Sequence, residues 1–201
     1  MLERIDRVNA EIARLTGVIE TLLEPYEEQL QQAESMPGWG RRSAQDAIAE
    51  TGTDMARFPT GAHLASWAGR APLDNSSGKR QGKAKAKKGN RYLGGLLGET
   101  AAAAGKTQTR EGARYRRIAR RRGKAKAQVA VGNTQLKVYH KLLSNPGMRY
   151  EDLGPDYYDR QRDTRRQIAH HVGKLGSLGF EVTLCRIPEA EPDGTDPTQA
   201  A

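Results

Sequence analysis

Cysteine is almost missing from this sequence. Cys185 stands alone, which excludes a disulfide framework and a Cys-based zinc site within the chain. Aromatic residues are also scarce, at 5%, with two Phe and two Trp, so a core must be filled mainly by Ala and Leu. No stretch approaches the roughly 20 consecutive apolar residues that span a bilayer as a helix. Histidines are few and badly spaced for a metal. His170 and His171 are adjacent and cannot share a helical face, and His63 and His140 stand alone. The start, "MLERIDRVNA", is charged and lacks the pattern of a secretory signal, so the chain reads as intracellular.

Basic residues are what the sequence has in plenty. Thirty-three Lys and Arg face 24 Asp and Glu over 201 residues, a formal charge of +9. Such a balance predicts a polyanionic partner, and nucleic acid rather than a membrane. The charge is concentrated. Lys79, Arg80, Lys83, Lys85, Lys87, Lys88 and Arg91 form one run with no acid. Residues 110–126 hold nine Lys or Arg and one acid, Glu111. In that second cluster the pairs Arg116/Arg120 and Arg117/Arg121 lie one helical turn apart, a spacing that destabilises an isolated helix and that a bound polyanion would relieve.

The periodicity is helical nearly throughout, and the fold class expected is all-α. Ile5, Val8, Ile12, Leu15, Ile19 and Leu22 follow steps of 3, 4, 3, 4 and 3, a heptad seam that Pro25 should end or kink. Such a helix packs either on its own domain or against a partner. "PGWG", residues 37–40, is a turn between helices with the pattern of a helix-hairpin-helix. Gly38 and Gly40 would let backbone approach a phosphate, and the first-turn N–H groups of the next helix would face the anion. Arg41 and Arg42 oppose that helix's dipole unless an anion is bound; a purely structural turn is the alternative. A short helix capped by Thr60 follows. Residues 72–91 lack apolar periodicity and read as loop, then helices are expected near 92–106 and 127–143. Four segments result: an amphipathic helix over 1–34, a helix-hairpin-helix core with basic loops over 35–145, a mixed-charge helical extension over 146–187 with a short strand at Phe180–Leu184, and a disordered tail over 188–201.

The stretch "PLDNSSGKRQGKAKAKKGNRYL" joins a serine pair to the first basic run. A serine hydroxyl needs a base, a metal or a field before it attacks. Ser77 precedes Gly78, where backbone bends tightly, and the lysines that follow can hold a phosphodiester and stabilise developing charge. From spacing alone "NSSG" is also a common turn.

The order of these motifs resembles the C-terminal domain of the IS-one-ten (also IS-one-sixteen) insertion-sequence transposases, relatives of the pilin-gene invertases. The likeness runs from about residue 1 to 145. It is specific in its middle: Pro-Gly-x-Gly, then Phe58 through Thr60 and Leu64 to Trp67-Ala68-Gly69, then Pro72 to Ser77-Gly78, then Lys88-Gly89-Asn90-Arg91. The segment beginning "YEDLGPDYYDRQ" resembles an extension found in some members. The resemblance implies a DNA transposase acting by serine-mediated transesterification, with Ser77 as nucleophile and Ser76 as alternate. It implies DNA and a guide-type non-coding RNA as partners, a homo-oligomer, no membrane, and a nucleoid-associated place in the bacterial cytoplasm. Family members carry a RuvC-like nuclease domain ahead of this one, whose acids bind magnesium. That domain has no counterpart here, so Mg2+ is expected there and no cofactor in this chain, which is expected to bind DNA or RNA without cleaving alone. The residues expected to hold nucleic acid are Gly38, Gly40, Arg41, Arg42, Lys79, Arg80, Lys83, Lys85, Lys87, Lys88, Arg91, Arg117, Arg120 and Arg121. The alternative is a non-catalytic module that binds DNA or structured RNA.

Overall fold

A computed structural model describes residues 1–72, 76–77, 80–81, 88–160 and 164–185. The fold is all-α, apart from one small ribbon. The chain divides into two compact units, Met1–Arg160 and Gln161–Ala201.

In the first unit α1 (Leu2–Leu23) leads through a 3-10 turn at Glu24–Tyr26 into α2 (Glu27–Glu34). Pro25 lies in that turn, where its missing N–H breaks the helical ladder. α1 buries none of its residues, and its six seam positions are 44–68% exposed. The segment 1–34 is thus two helices with different fates. α2 is core, with Leu30 and Ala33 fully buried.

α3 (Arg41–Thr51), a 3-10 turn (Met55–Arg57), α4 (Gly61–Trp67), α5 (Arg91–Ala104), α6 (Arg110–Arg122), α7 (Lys124–Leu143) and the short α8 (Tyr157–Arg160) complete this unit. α7 packs against α2, α4, α5 and α6, and its Val131, Leu136 and Tyr139 are fully buried. It begins at Lys124, three residues earlier than the apolar pattern suggested, because Gly123 with φ +87° breaks the backbone between α6 and α7. Thr60 caps α4 as expected: its side chain accepts the His63 N–H.

Trp39 stacks on Tyr139 with ring centroids 5.5 Å apart, and the Tyr139 hydroxyl lies 3.0 Å from Thr51 Oγ1. Burial of this phenol pushes its pKa up. Such an aromatic pair contributes about 0.5–1.5 kcal/mol beyond its buried area. Gln32, buried on α2, places its amide nitrogen 2.9–3.1 Å from the carbonyls of Leu142, Asn145 and Met148. It thereby ties α2 to the end of α7 and the turn that follows it.

The turn between α2 and α3 spans Ser35–Gly40. Gly38 has φ +80°, and a Cβ there would lie 2.4 Å from Thr100 O and 2.5 Å from Ala104 N. The backbone that this glycine lets approach is that of α5. Gly40, the residue before α3, has open space around it.

Arg41 is likewise held within the molecule. Its guanidinium pairs with Glu20 at 2.6 Å, Glu27 at 2.7 Å and Glu34 at 3.4 Å, and Gln45 donates to Glu20 at 2.7 Å. These contacts fasten the end of α1 to α3. They also supply negative charge that offsets an arginine at a helix start. Hydrogen bonding to Arg41 holds the Glu20 and Glu27 carboxyls below their ordinary 4.5.

The second unit contains α9 (Thr164–Ser177), ended by Gly179 at φ +86°. Phe180–Leu184 makes no strand ladder among the described residues, contrary to its alternating pattern; alternation alone forms no strand without a partner for its N–H and C=O groups.

Two outcomes follow. Gly38→Ala should lower stability by about 2 kcal/mol or more, read as a shift of the urea midpoint; a loss below about 0.5 kcal/mol would contradict the close approach to α5. For the Arg41 cluster, lowered carboxylate pKa values contribute stability fully above about 4.5 and lose it as the pH falls through the folded values. Protection factors of amides at the end of α1, taken relative to the intrinsic rate at each pH, should therefore fall on acidification below that point, and Arg41→Met should abolish most of this pH dependence.

Candidate nucleic-acid interface

The serine segment is mounted on a rigid base. α4 ends at Trp67, and the returning backbone at Gly89 passes so close to the turn after it that a Cβ on Gly89 would lie 2.3 Å from Gly69 N. Asn90 then caps α5, its Oδ1 accepting the N–H groups of Tyr92 at 2.9 Å and Leu93 at 3.1 Å, while its Nδ2 donates to Glu50 at 2.5 Å. Arg70, half-buried, donates to the Gly94 carbonyl, and Asn133 on α7 donates to the Arg70 carbonyl at 3.1 Å. Burial pushes the Arg70 pKa down. Both ends of the segment are thus tied to the α4–α5–α7 core.

Between these ends the chain is more than plain loop. β1 (Ser76–Ser77) and β2 (Arg80–Gln81) pair antiparallel, with Ser76 opposite Gln81 and Ser77 opposite Arg80. Lys79, Lys83, Lys85 and Lys87 lie outside the described residues. Lys88 is exposed, and Arg91 is the exposed first residue of α5, where no acid offsets its charge against the helix dipole.

Arg42 has a different setting from the one its sequence neighbours suggested. It lines a groove between α3 and α5 with Asp46, Glu50, Glu99 and Tyr92. Three carboxylates there make a poor site for a phosphate.

The second basic cluster divides into used and free cations. Arg110 pairs with buried Glu111 at 2.6 Å. Arg116 donates to the carbonyls of Gly105 at 3.0 Å and Thr107 at 2.8 Å, which removes it from the conflict with Arg120. The Arg117 guanidinium lies 4.1 Å from the centre of the Tyr158 ring. Arg120, Arg121, Arg122, Lys124 and Lys126 are exposed and make no hydrogen bond or ion pair among the described residues. Three of them stand in the last turn of α6, where cations complement the dipole. Lys124 and Lys126 stand in the first turn of α7, where cations oppose it, with no acid and no side-chain cap to compensate.

The sequence reading singled out Arg117, Arg120 and Arg121 but missed the tyrosines laid against α6 and the role of Glu111. The signal was present: Glu111 is the one acid in a run of nine cations. Among the described residues no group of three or more His, Cys, Asp or Glu is placed to hold a metal. No described helix is long and apolar enough to cross a membrane.

No curated protein matches the chain. Residues 30–116, which carry the Ser35–Gly40 turn, the α4–α5 base, the serine ribbon and the first half of α6, match the family model described as Transposase IS116/IS110/IS902 family.

Proposed function

We propose that this chain is the DNA-binding part of an insertion-sequence transposase and carries its nucleophilic serine. The observation that supports this best is the family match over residues 30–116, which encloses the ribbon bearing Ser76 and Ser77 and its tethered base. In the proposed reaction the Ser77 hydroxyl attacks a DNA phosphorus. An ester bond forms between serine oxygen and phosphorus, the bond to one nucleoside oxygen breaks, and that oxygen takes up a proton as the serine loses one. A later attack by a nucleoside hydroxyl reverses the step on the new strand. Arg80, Arg91 and Lys88, with the lysines of the run, balance phosphate charge near the ribbon. The exposed cations from Arg120 to Lys126 hold backbone without reading bases.

A structured guide RNA belongs to the proposal as the source of sequence choice, and magnesium as the cofactor of a nuclease domain acting with this one. The exposed seam of α1 supports a homo-oligomer. It places Ile5, Ile12 and Ile19 at one heptad position and Val8, Leu15 and Leu22 at the other, the distribution that favours two parallel strands. The rival is a nucleic-acid-binding module without chemistry.

Two variants separate these readings. Arg120→Ala with Arg121→Ala should weaken binding to all duplex sequences alike and flatten the log–log salt dependence by about 0.9 per lost phosphate contact. Ser77→Ala should leave binding unchanged. With the family's nuclease domain supplied, it should abolish both strand joining and the covalent protein–DNA adduct seen on denaturing gels. An adduct persisting in Ser77→Ala but lost in Ser76→Ala would move the nucleophile by one residue. Loss in neither would leave the rival.

A further inference from the structure

The segment that follows α7 folds back onto the basic helix. Its near end is clasped at the start of α6. Tyr150 donates to Glu111 and approaches Asp152 Oδ1 at 3.2 Å, and Asp152 Oδ1 accepts the Arg110 N–H at 3.0 Å. Asp152 also accepts the Gly154 N–H at 3.0 Å. This clasp is built from charged hydrogen bonds around Glu111, which is 2% exposed.

The far end is attached differently. Arg110, Arg114, Arg117 and Arg121 follow steps of 4, 3 and 4, so they form one stripe along α6. Tyr157 and Tyr158, the first residues of α8, lie over its first three members. The Arg110 guanidinium is 5.4 Å from the Tyr157 ring centre, and that of Arg117 is 4.1 Å from the Tyr158 ring centre. Arg114 reaches the Tyr158 hydroxyl only at 3.5 Å, and its Nε is buried without a hydrogen-bond partner. Arg114 is therefore a guanidinium with a buried, unpartnered Nε–H, held only by a long contact to the Tyr158 hydroxyl. Arg121 continues the stripe uncovered.

Ring faces hold guanidinium groups loosely at partly exposed sites, whereas a phosphate offers Arg charge-assisted, bidentate hydrogen bonds. We propose that residues 155–160 are an exchangeable cover over this arginine stripe. Phosphates of a nucleic acid displace the two tyrosines and take Arg114 and Arg117, while the Tyr150–Glu111–Asp152 clasp keeps the segment attached. The cover competes with the ligand and so sets how much of α6 a nucleic acid can engage. This inference rests on the nucleic-acid reading above.

The test uses the full chain, with a short duplex and a single strand of equal length as probes, across a series of salt concentrations. Tyr157→Ala with Tyr158→Ala should bind the duplex several-fold more tightly at low salt. Its log–log slope should steepen by about 1.8 for two recovered phosphate contacts. Tyr158→Phe keeps the ring and should behave close to wild type. Unchanged affinity and slope in the double variant would overturn the proposal, as would weaker binding to the single strand, which would make the rings base-stacking contacts. Failure of the wild-type chain to bind either probe would instead remove the underlying reading and the cover with it. Amide exchange gives a second readout in the wild-type protein. On adding duplex, amides of residues 157–160 should lose protection while Gly154 keeps its own; protection unchanged or increased at 157–160 would contradict displacement.

Discussion

The contact between the Ser35–Gly40 turn and the pair α5–α7 is the constraint on which the rest depends. Gly38 admits the α5 backbone at a distance that no side chain tolerates, and Trp39 closes against Tyr139 on α7. Gln135 on α7 adds a polar tie, accepting from Thr100 on α5 at 3.0 Å and donating to the Pro37 carbonyl at 3.3 Å. With α5 and α7 set in this way, Asn90 and Arg70, on either side of the serine segment in sequence, have partners in the packed core. A reactive group is positioned better by packed helices beneath it than by its own loop.

The distribution of charge follows from the same architecture. The chain carries an excess of cations, and the fold consumes some of them. Arg41 is shared among three carboxylates, Arg116 satisfies the carbonyls left open as α5 ends, and Arg110 accompanies a buried glutamate. Such groups serve the protein, and their charge is largely compensated at home. What remains for a ligand is concentrated near the serine ribbon and at the elbow of α6 and α7. There Lys124 and Lys126 sit against the dipole of their own helix. An unfavourable placement with no internal compensation among the described residues is better evidence for an anionic partner than net charge alone.

Much of this was legible in the sequence, and the reasons for the misses are specific. The heptad steps of α1, Pro25 after it, Thr60 before α4 and the Ala- and Leu-rich helices were visible because each is a local signal. The partners of Arg41 were not. Glu20 and Glu34 lie 21 and 7 residues away, and nothing local separates a cation awaiting a phosphate from one awaiting a distant carboxylate. Gly38 read as an opening for a ligand because a glycine reveals that something comes close but not what. The β1–β2 ladder escaped because two residues per strand leave no period to detect. The strand at Phe180–Leu184 was the opposite error, a pattern without a partner. Tyr157 and Tyr158 looked like part of a mixed-charge extension, and only the return of the chain onto α6 gives them a place.

The central proposal is that a polyphosphate is the ligand of the basic residues that follow Ser77 in sequence and of those at the α6–α7 elbow. The most direct measurement is equilibrium binding of a DNA duplex to the full chain over a range of salt concentrations. If about six phosphates are neutralised, log affinity should fall against log salt with a slope near −5. Absence of binding at low ionic strength, or an affinity indifferent to salt, would contradict the account.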